Sequence, residues 1–198
     1  MKDFLQAIAN RRSIYTLSAE STITDERIEE ILTTAVLNGP TYYNSQSSRA
    51  VLLLGANHAK LWQIVLDTLR PMVAPDKFGN TEKKIATFAA GYGSILFFDD
   101  TDVTSHFMEE YPTYRDTFPG WALQHNGMLQ YAVWAALEAE GLGASLQHYN
   151  PLIDTAVQNE WNLPKSWQLL AQMPFGKPTA LPAPKEKEPI ETRMKIFK

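Results

Sequence analysis

The sequence contains no cysteine. That excludes a disulfide framework, a thiolate nucleophile and any cysteine metal site. Positive charge is also in short supply: 18 lysines and arginines face 22 aspartates and glutamates, for a net charge of −4. A general nucleic-acid surface needs the opposite balance, whereas a local basic pocket for one phosphate does not. No apolar run approaches the roughly 20 residues of a membrane span; the longest, Ala50 to Ala56, is strand-sized. The opening Met1-Lys2-Asp3-Phe4-Leu5-Gln6 is charged and amphipathic, without an apolar signal core. A soluble cytoplasmic protein is the expectation, with no membrane or nucleic-acid partner.

Conventional catalytic signatures are missing as well. His58, His106, His125 and His148 show no metal-ligand spacing, so no metal is expected and structural or surface roles are favoured. His148 stands apart because it falls on an expected strand. Asp99-Asp100-Thr101-Asp102 reads either as a cation site or, more simply, as a strand end leading into a helix N-cap. No serine sits in a nucleophile elbow. Gly91-Tyr92-Gly93 and Gly141-Leu142-Gly143 both fail the dinucleotide fingerprint, which requires strand, turn and helix in that order.

What is present is an ordinary globular composition, 44% hydrophobic and 20% charged over 198 residues. One core is expected, and a single domain spanning 1–198 with an extended C-terminal arm over 176–198. Apolar spacing predicts helices over 3–11, from Thr24 to Gly39, over 58–69, 81–90, 103–110, 121–140 and 152–161. Strands are expected over 49–54, 94–98, 143–149 and 168–175. Residues 39–44, 75–80 and 112–120 read as turns and loops. In the 121–140 helix, Met128, Leu129, Ala132, Val133, Ala136 and Leu137 form the apolar stripe. Irregular mixing of helices and strands predicts an α+β fold, a mostly antiparallel sheet covered by helices.

Four segments carry the chemistry. Arg11-Arg12-Ser13 supplies two guanidiniums and a hydroxyl, suited to bidentate contact with phosphate. Asn44-Ser45-Gln46, Gly141-Leu142-Gly143-Ala144-Ser145 and Pro184-Lys185-Glu186-Lys187 follow in that order. Taken singly, each is also an unremarkable surface trio, loop, turn or solvated tail. In sequence they resemble the nitroreductase family of flavoprotein oxidoreductases over essentially the whole chain. Tyr15 replaces a basic residue common in that family, and Ser47-Ser48-Arg49 replaces a frequent Pro-Trp after the Asn-x-Gln element. Those forms are similar to a branch containing fatty-acid-repression-mutant and copper-induced nitroreductase proteins.

The resemblance implies FMN as cofactor and NAD(P)H as co-substrate. It assigns Arg11, Arg12 and Ser13 to the FMN phosphate and ribityl, and Asn44 and Gln46 to the flavin or substrate face. Ala144, Ser145 and Leu146 are assigned to the ring, and Lys185 and Lys187 to the phosphate again. Tyr42 and Trp121 are expected to roof the substrate pocket. A cofactor that carries the chemistry asks the protein for binding, orientation and exclusion of water, which suits a chain without an acid, base or nucleophile signature. The expected activity is two-step hydride transfer to nitroaromatics, quinones or related acceptors. The alternative is a flavin-binding stress-response or signalling protein with little turnover. A homodimer sharing its flavin sites is also implied; its arm ends in Met194-Lys195-Ile196-Phe197, which is apolar enough to seek a partner surface, although it could also fold back on its own chain.

Overall fold

The computed structural model describes residues 2–198. Its elements are α1 (Phe4–Asn10), β1 (Leu17–Ser18), α2 (Asp25–Asn38), β2 (Ser48–Leu54), α3 (Gly55–Leu69), α4 (Pro75–Ala89), β3 (Gly93–Asp100), α5 (Thr101–Glu110), α6 (Phe118–Ala139), β4 (Gly143–Ala144), α7 (Asp154–Glu160), β5 (Trp167–Pro178) and α8 (Ile190–Arg193), with 3₁₀ turns at Tyr42–Asn44 and Pro112–Thr117. The fold is α+β, as the irregular alternation of elements predicts. The sheet is antiparallel in order β1-β5-β3-β2, with β4 also pairing on β5.

Strand β3 is the centre of the molecule. Its side chains alternate between two cores, as the two-residue period of a strand requires. Ile95 and Phe97 join Ile28 and Leu32 of α2 with Leu129, Val133 and Leu137 of α6. Leu96 and Phe98 face the other way, onto Leu61, Trp62 and Val65 of α3, Ile85 and Phe88 of α4, and Val157 of α7. Helices therefore cover both faces. Gly93, at the start of β3, has no room for a side chain: a Cβ there would lie 2.6 Å from Leu54 Cδ2 and 2.7 Å from Phe175 Cζ.

Several elements depart from their expected bounds for identifiable reasons. Helix α4 begins at Pro75 instead of near Thr81, because proline is favourable at a first helical position and Phe78 continues the buried face of Ile85 and Phe88. No loop separates β2 from α3, since Gly55 takes a φ of 53° and turns the chain within one residue. The expected 143–149 strand keeps only Gly143–Ala144 as ladder, followed by a lone bridge from Gln147 to Gln172. Pro174 of β5 lies between those points and has no N–H to give. Helix α6 starts at Phe118, so the expected 112–120 loop is a 3₁₀ turn running into it. Of its anticipated stripe, Leu129, Val133 and Leu137 are buried, whereas Met128 is 47% exposed alongside Leu123 and Tyr131. The tail carries the four-residue α8 after Pro189, and Phe197 beyond it is 93% exposed.

His58 of α3 is a structural histidine. Its Nδ1 lies 2.9 Å from Ser94 Oγ and its Nε2 3.2 Å from the Ala89 carbonyl, while Trp62 donates to the same Ser94 hydroxyl at 3.1 Å. Burial lowers the His58 pKa from 6.5, outweighing the raising effect of the backbone carbonyls. The unfolded chain therefore binds this proton more readily than the folded one. Stability conferred by the neutral imidazole is present above the ordinary value and declines as pH falls below about 6.5. Urea unfolding across pH 7 to 5 is expected to show that decline, and His58→Gln to flatten it; an unchanged slope in the variant contradicts the assignment.

Candidate functional site

The residues singled out by sequence fall into two groups. At the C-terminus of α1, the Arg11 guanidinium lies over the Trp134 ring at 4.3 Å, with Tyr131 at 6.0 Å. Stacking fixes the plane of the fork while leaving its edges available for an anion. Arg11 Nε is buried and has no hydrogen-bond partner among the described residues. Arg12 donates to the Ala183 carbonyl at 2.8 Å, tying the C-terminal tail to this end of the molecule. Ser13 bridges Ala144 in parallel, and the Ile14 N–H donates to the Ala144 carbonyl at 2.9 Å. Ser145 is buried beside them, and Leu146 packs into the core. Lys185 and Lys187 follow Ala183 along the tail and are exposed. Arg11, Arg12, Ser13, Ala144 and Ser145 are thus gathered in one place, with Lys185 near it through the tail and Lys187 two residues further.

The second group forms around residues 39–49. Tyr43, Asn44 and Gln46 have φ of 45°, 53° and 52°, three left-handed non-glycine residues within four positions. Such conformations cost on the order of 1 kcal/mol or more each and persist where surrounding contacts impose them. Here Thr41 Oγ1 accepts from the Gln46 N–H at 3.1 Å and the Tyr42 carbonyl from the Ser45 N–H at 2.8 Å. Asn44 and Gln46 line a cleft of about 430 Å³ with Arg49, His125, Leu129 and Trp167. Arg49 is paired with Asp100 at 2.9 Å and lies 5.7 Å from the Trp167 ring. A neighbouring aromatic shelf of about 350 Å³ is bounded by Tyr42, Tyr43, Trp121, His125 and Met128. Tyr42 and Trp121 therefore do share a surface, and Tyr42 is packed against Phe107, Phe118 and His125 at 5.1–5.4 Å between ring centroids.

Sheet register sets the distance between the groups. Ser48, just past the Asn44–Gln46 loop, pairs with Asp99; Leu54 pairs with Gly93, which pairs with Phe175, which pairs with Ala144. Six residue steps of strand separate the two ends, roughly 20 Å at about 3.3 Å per residue. Within one chain, the arginine cradle and the amide loop lie at opposite ends of the sheet.

Sequence reasoning missed the polar network under the loop. Asp99 is buried and accepts from Ser47 Oγ at 2.5 Å and from Thr104 Oγ1 at 2.8 Å; Tyr42 OH lies 3.0 Å from Thr104 Oγ1, and His125 Nε2 lies 3.2 Å from Ser47 Oγ. Burial works to raise the Asp99 pKa, but the nearby His125 ring and the bonds from Ser47 and Thr104 more than offset it and hold the carboxyl below 3.8. Asp100 caps α5 by accepting from the Asp102 N–H, so the acidic run is a strand end and cap. His148, expected to be the notable histidine, is exposed. His125 is buried instead, and the signal for it was present: it falls four residues before Leu129, on the same helical face as Phe118, Ala122 and Val133.

Because every hydroxyl around Asp99 donates to it, an amide in its place presents a donor to donors. Asp99→Asn is expected to lower unfolding stability at neutral pH by about 1.5–3 kcal/mol, the range for hydrogen bonds to a charged group. The folded carboxyl ionises below its ordinary value, so its contribution is present above pH 3.8 and is lost as pH falls through and below it. Denaturant titrations of both proteins should converge at the acid end. A constant difference at all pH values contradicts this account.

The chain matches the nitroreductase family model over residues 8–177. It is 35% identical to HBN1 of Saccharomyces cerevisiae over 98% of this chain and 96% of that protein, and 34% identical to nitroreductase FRM2 of the same yeast over 92% of each. Among solved structures it superposes on nitroreductase CinD from Lactococcus lactis in complex with chloramphenicol, with a TM-score of 0.90, 39% identity, and coverage of 99% of this chain and 100% of that one. The same protein in complex with 4-nitrophenol gives 0.89 and 40%, with the same coverage. No helix among the described residues is long and apolar enough to cross a membrane. With its helix-covered antiparallel sheet, two-part site and agreement with these proteins along nearly its full length, the chain belongs to the nitroreductase family and is an oxidoreductase enzyme.

Proposed function

We propose that the protein is an FMN-dependent NAD(P)H oxidoreductase of the cytoplasm, acting on nitroaromatics, quinones or related acceptors, and that its flavin sites are completed across a homodimer. The observation that carries this reading is Arg11: a guanidinium laid flat on Trp134, with a buried Nε lacking any partner among the described residues, fits a phosphate that the chain itself does not provide. Bound there, FMN supplies a two-electron hydride store between NAD(P)H and the acceptor. Arg11, Arg12 and Ser13 hold its phosphate and ribityl, Ala144 to Leu146 border its ring, and Lys185 and Lys187 return to the phosphate. Asn44 and Gln46 orient the ring or the acceptor through their amides, while Tyr42 and Trp121 exclude water from the shelf. The complexes of CinD with 4-nitrophenol and chloramphenicol favour small aromatic acceptors for this chain too.

The roughly 20 Å between the two groups supports the dimer. One flavin would take its phosphate cradle from one chain and its amide loop from the other. Helix α6 has the surface for such a contact, being apolar on its buried face and again at the exposed Leu123, Met128 and Tyr131. On this reading 1–198 is one domain and 176–198 an arm that crosses the neighbouring subunit, burying Met194, Ile196 and Phe197, all more than half exposed in the isolated chain.

The purified protein is expected to be yellow, with FMN bound far more tightly than riboflavin. Arg11→Ala should weaken FMN binding ten- to a hundredfold, about 1.5–3 kcal/mol for a charge-assisted contact, as measured by flavin fluorescence on titration. NAD(P)H should bleach the flavin, and varied NAD(P)H and nitroaromatic should give parallel double-reciprocal lines, as substituted-enzyme kinetics require. Equal affinity for riboflavin and FMN overturns the cradle; intersecting lines overturn the two-step transfer.

A further inference from the structure

The network beneath the amide loop has a direction. Ser47 owns a single hydroxyl hydrogen, and its 2.5 Å contact with Asp99 takes it. The 3.2 Å contact to His125 must then run the other way, with Nε2–H donating to Ser47 Oγ. Thr104 likewise gives its hydrogen to Asp99, so Tyr42 donates to Thr104. Two chains of donors, His125→Ser47 and Tyr42→Thr104, converge on one buried carboxylate.

The remaining ring nitrogen of His125 is what the network leaves open. His125 is 3% exposed, walls both the main cleft and the aromatic shelf, and its Nδ1 is buried with no hydrogen-bond partner among the described residues. A proton placed on Nδ1 makes an imidazolium whose charge faces Asp99, 3.8 Å from Nε2. The other charged or titratable groups around it are Arg49 across the cleft, already paired with Asp100, and the Tyr42 phenol, tilted against the ring at 5.1 Å between centroids. Asp99 is thus the uncompensated anion nearest this histidine.

We infer that His125 is the proton donor to the acceptor in the cleft, poised by Ser47 and Asp99. This rests on the hydride-transfer reading above. A quinone that receives a hydride carries two added electrons and one hydrogen, and is left as an oxyanion. Transfer of the Nδ1 proton to that oxygen completes the hydroquinone and returns His125 to the neutral form with hydrogen on Nε2, the form that bonds Ser47. A solvent proton then reloads Nδ1. For a nitro group the same hydride and proton yield, with loss of water, the nitroso product. Tyr42, Thr104 and Ser47 hold the loop and the carboxylate in place and transfer nothing.

Two measurements on the full-length protein test the inference. His125→Gln keeps an N–H able to reach Ser47 but has no Nδ1. Turnover of 1,4-benzoquinone, which needs a proton, is compared with that of ferricyanide, which takes single electrons and none. The benzoquinone-to-ferricyanide ratio is expected to fall about a hundredfold in the variant, the lower end for general acid catalysis. Separately, the absorbance of bound 4-nitrophenol reports its ionisation: paired with His125, the bound phenol should ionise at lower pH in the wild-type protein than in His125→Gln. An unchanged ratio, including equal loss on both acceptors, overturns the donor role and marks His125 as structural; so does 4-nitrophenol that ionises at the same pH in both proteins. If the wild-type protein neither binds 4-nitrophenol nor oxidises NAD(P)H, the failure is instead that of the proposed function.

Discussion

Six residue steps along an antiparallel sheet govern the organisation of this protein. Strands β2 and β3 pair in unbroken register over that length, and β5 pairs along the other edge of β3, a strand buried on both faces, with one register shift between Phe97 and Phe98. The cradle of Arg11, Arg12 and Ser13 is anchored at one end through its pairing with Ala144. The loop carrying Asn44 and Gln46 is anchored at the other through Ser48 and the buried Ser47. A rigid sheet cannot fold its ends together. A ligand that draws on both groups is the basis of the proposed dimer, and the exposed apolar positions of α6 and of the tail are the surfaces that proposal assigns to the second chain.

Asp99 serves the other half of the account. Ion–hydroxyl bonds in a dry interior are stronger than their surface counterparts. They give the 41–47 loop a fixed base from which three left-handed residues can be imposed. Strain in the loop is borne by its own bonds, from the Gln46 N–H to Thr41 Oγ1 and from the Ser45 N–H to the Tyr42 carbonyl, above the base that Ser47 fixes on Asp99. The same arrangement leaves His125, a wall of the cleft, with one nitrogen bonded and the other buried without a partner among the described residues.

Much of this was legible in the sequence, and the reasons differ by residue. The helices and the α+β class followed from apolar periodicity, because Ile28, Ile31 and Leu32 or Leu129, Val133 and Leu137 repeat at helical spacing and do pack inward. Family membership followed from four short segments in order. Element bounds were less legible where one residue acts against its usual meaning: Pro75 opens a helix, and Gly55 joins strand to helix with no loop. His125 and Asp99 were missed because their importance is a matter of contact across 26 residues of chain and between separate elements. Asp99 shows in the sequence only as part of an acidic run at a strand end, which says nothing of its burial, and only the extension of the α6 stripe back past Leu129 hints at the histidine.

Complementation between two defective chains tests the shared site most directly. Arg11→Ala and Asn44→Ala proteins, carrying different affinity tags, are co-expressed and the mixed assembly is isolated by sequential purification. A site built from two chains leaves the mixed dimer with one intact site and one doubly altered site. The expected result is one tightly bound FMN per mixed dimer, and turnover recovered from two parents that have each lost it. A mixed assembly as empty and inactive as its parents, or a wild-type monomer in light scattering that still holds FMN, contradicts the account.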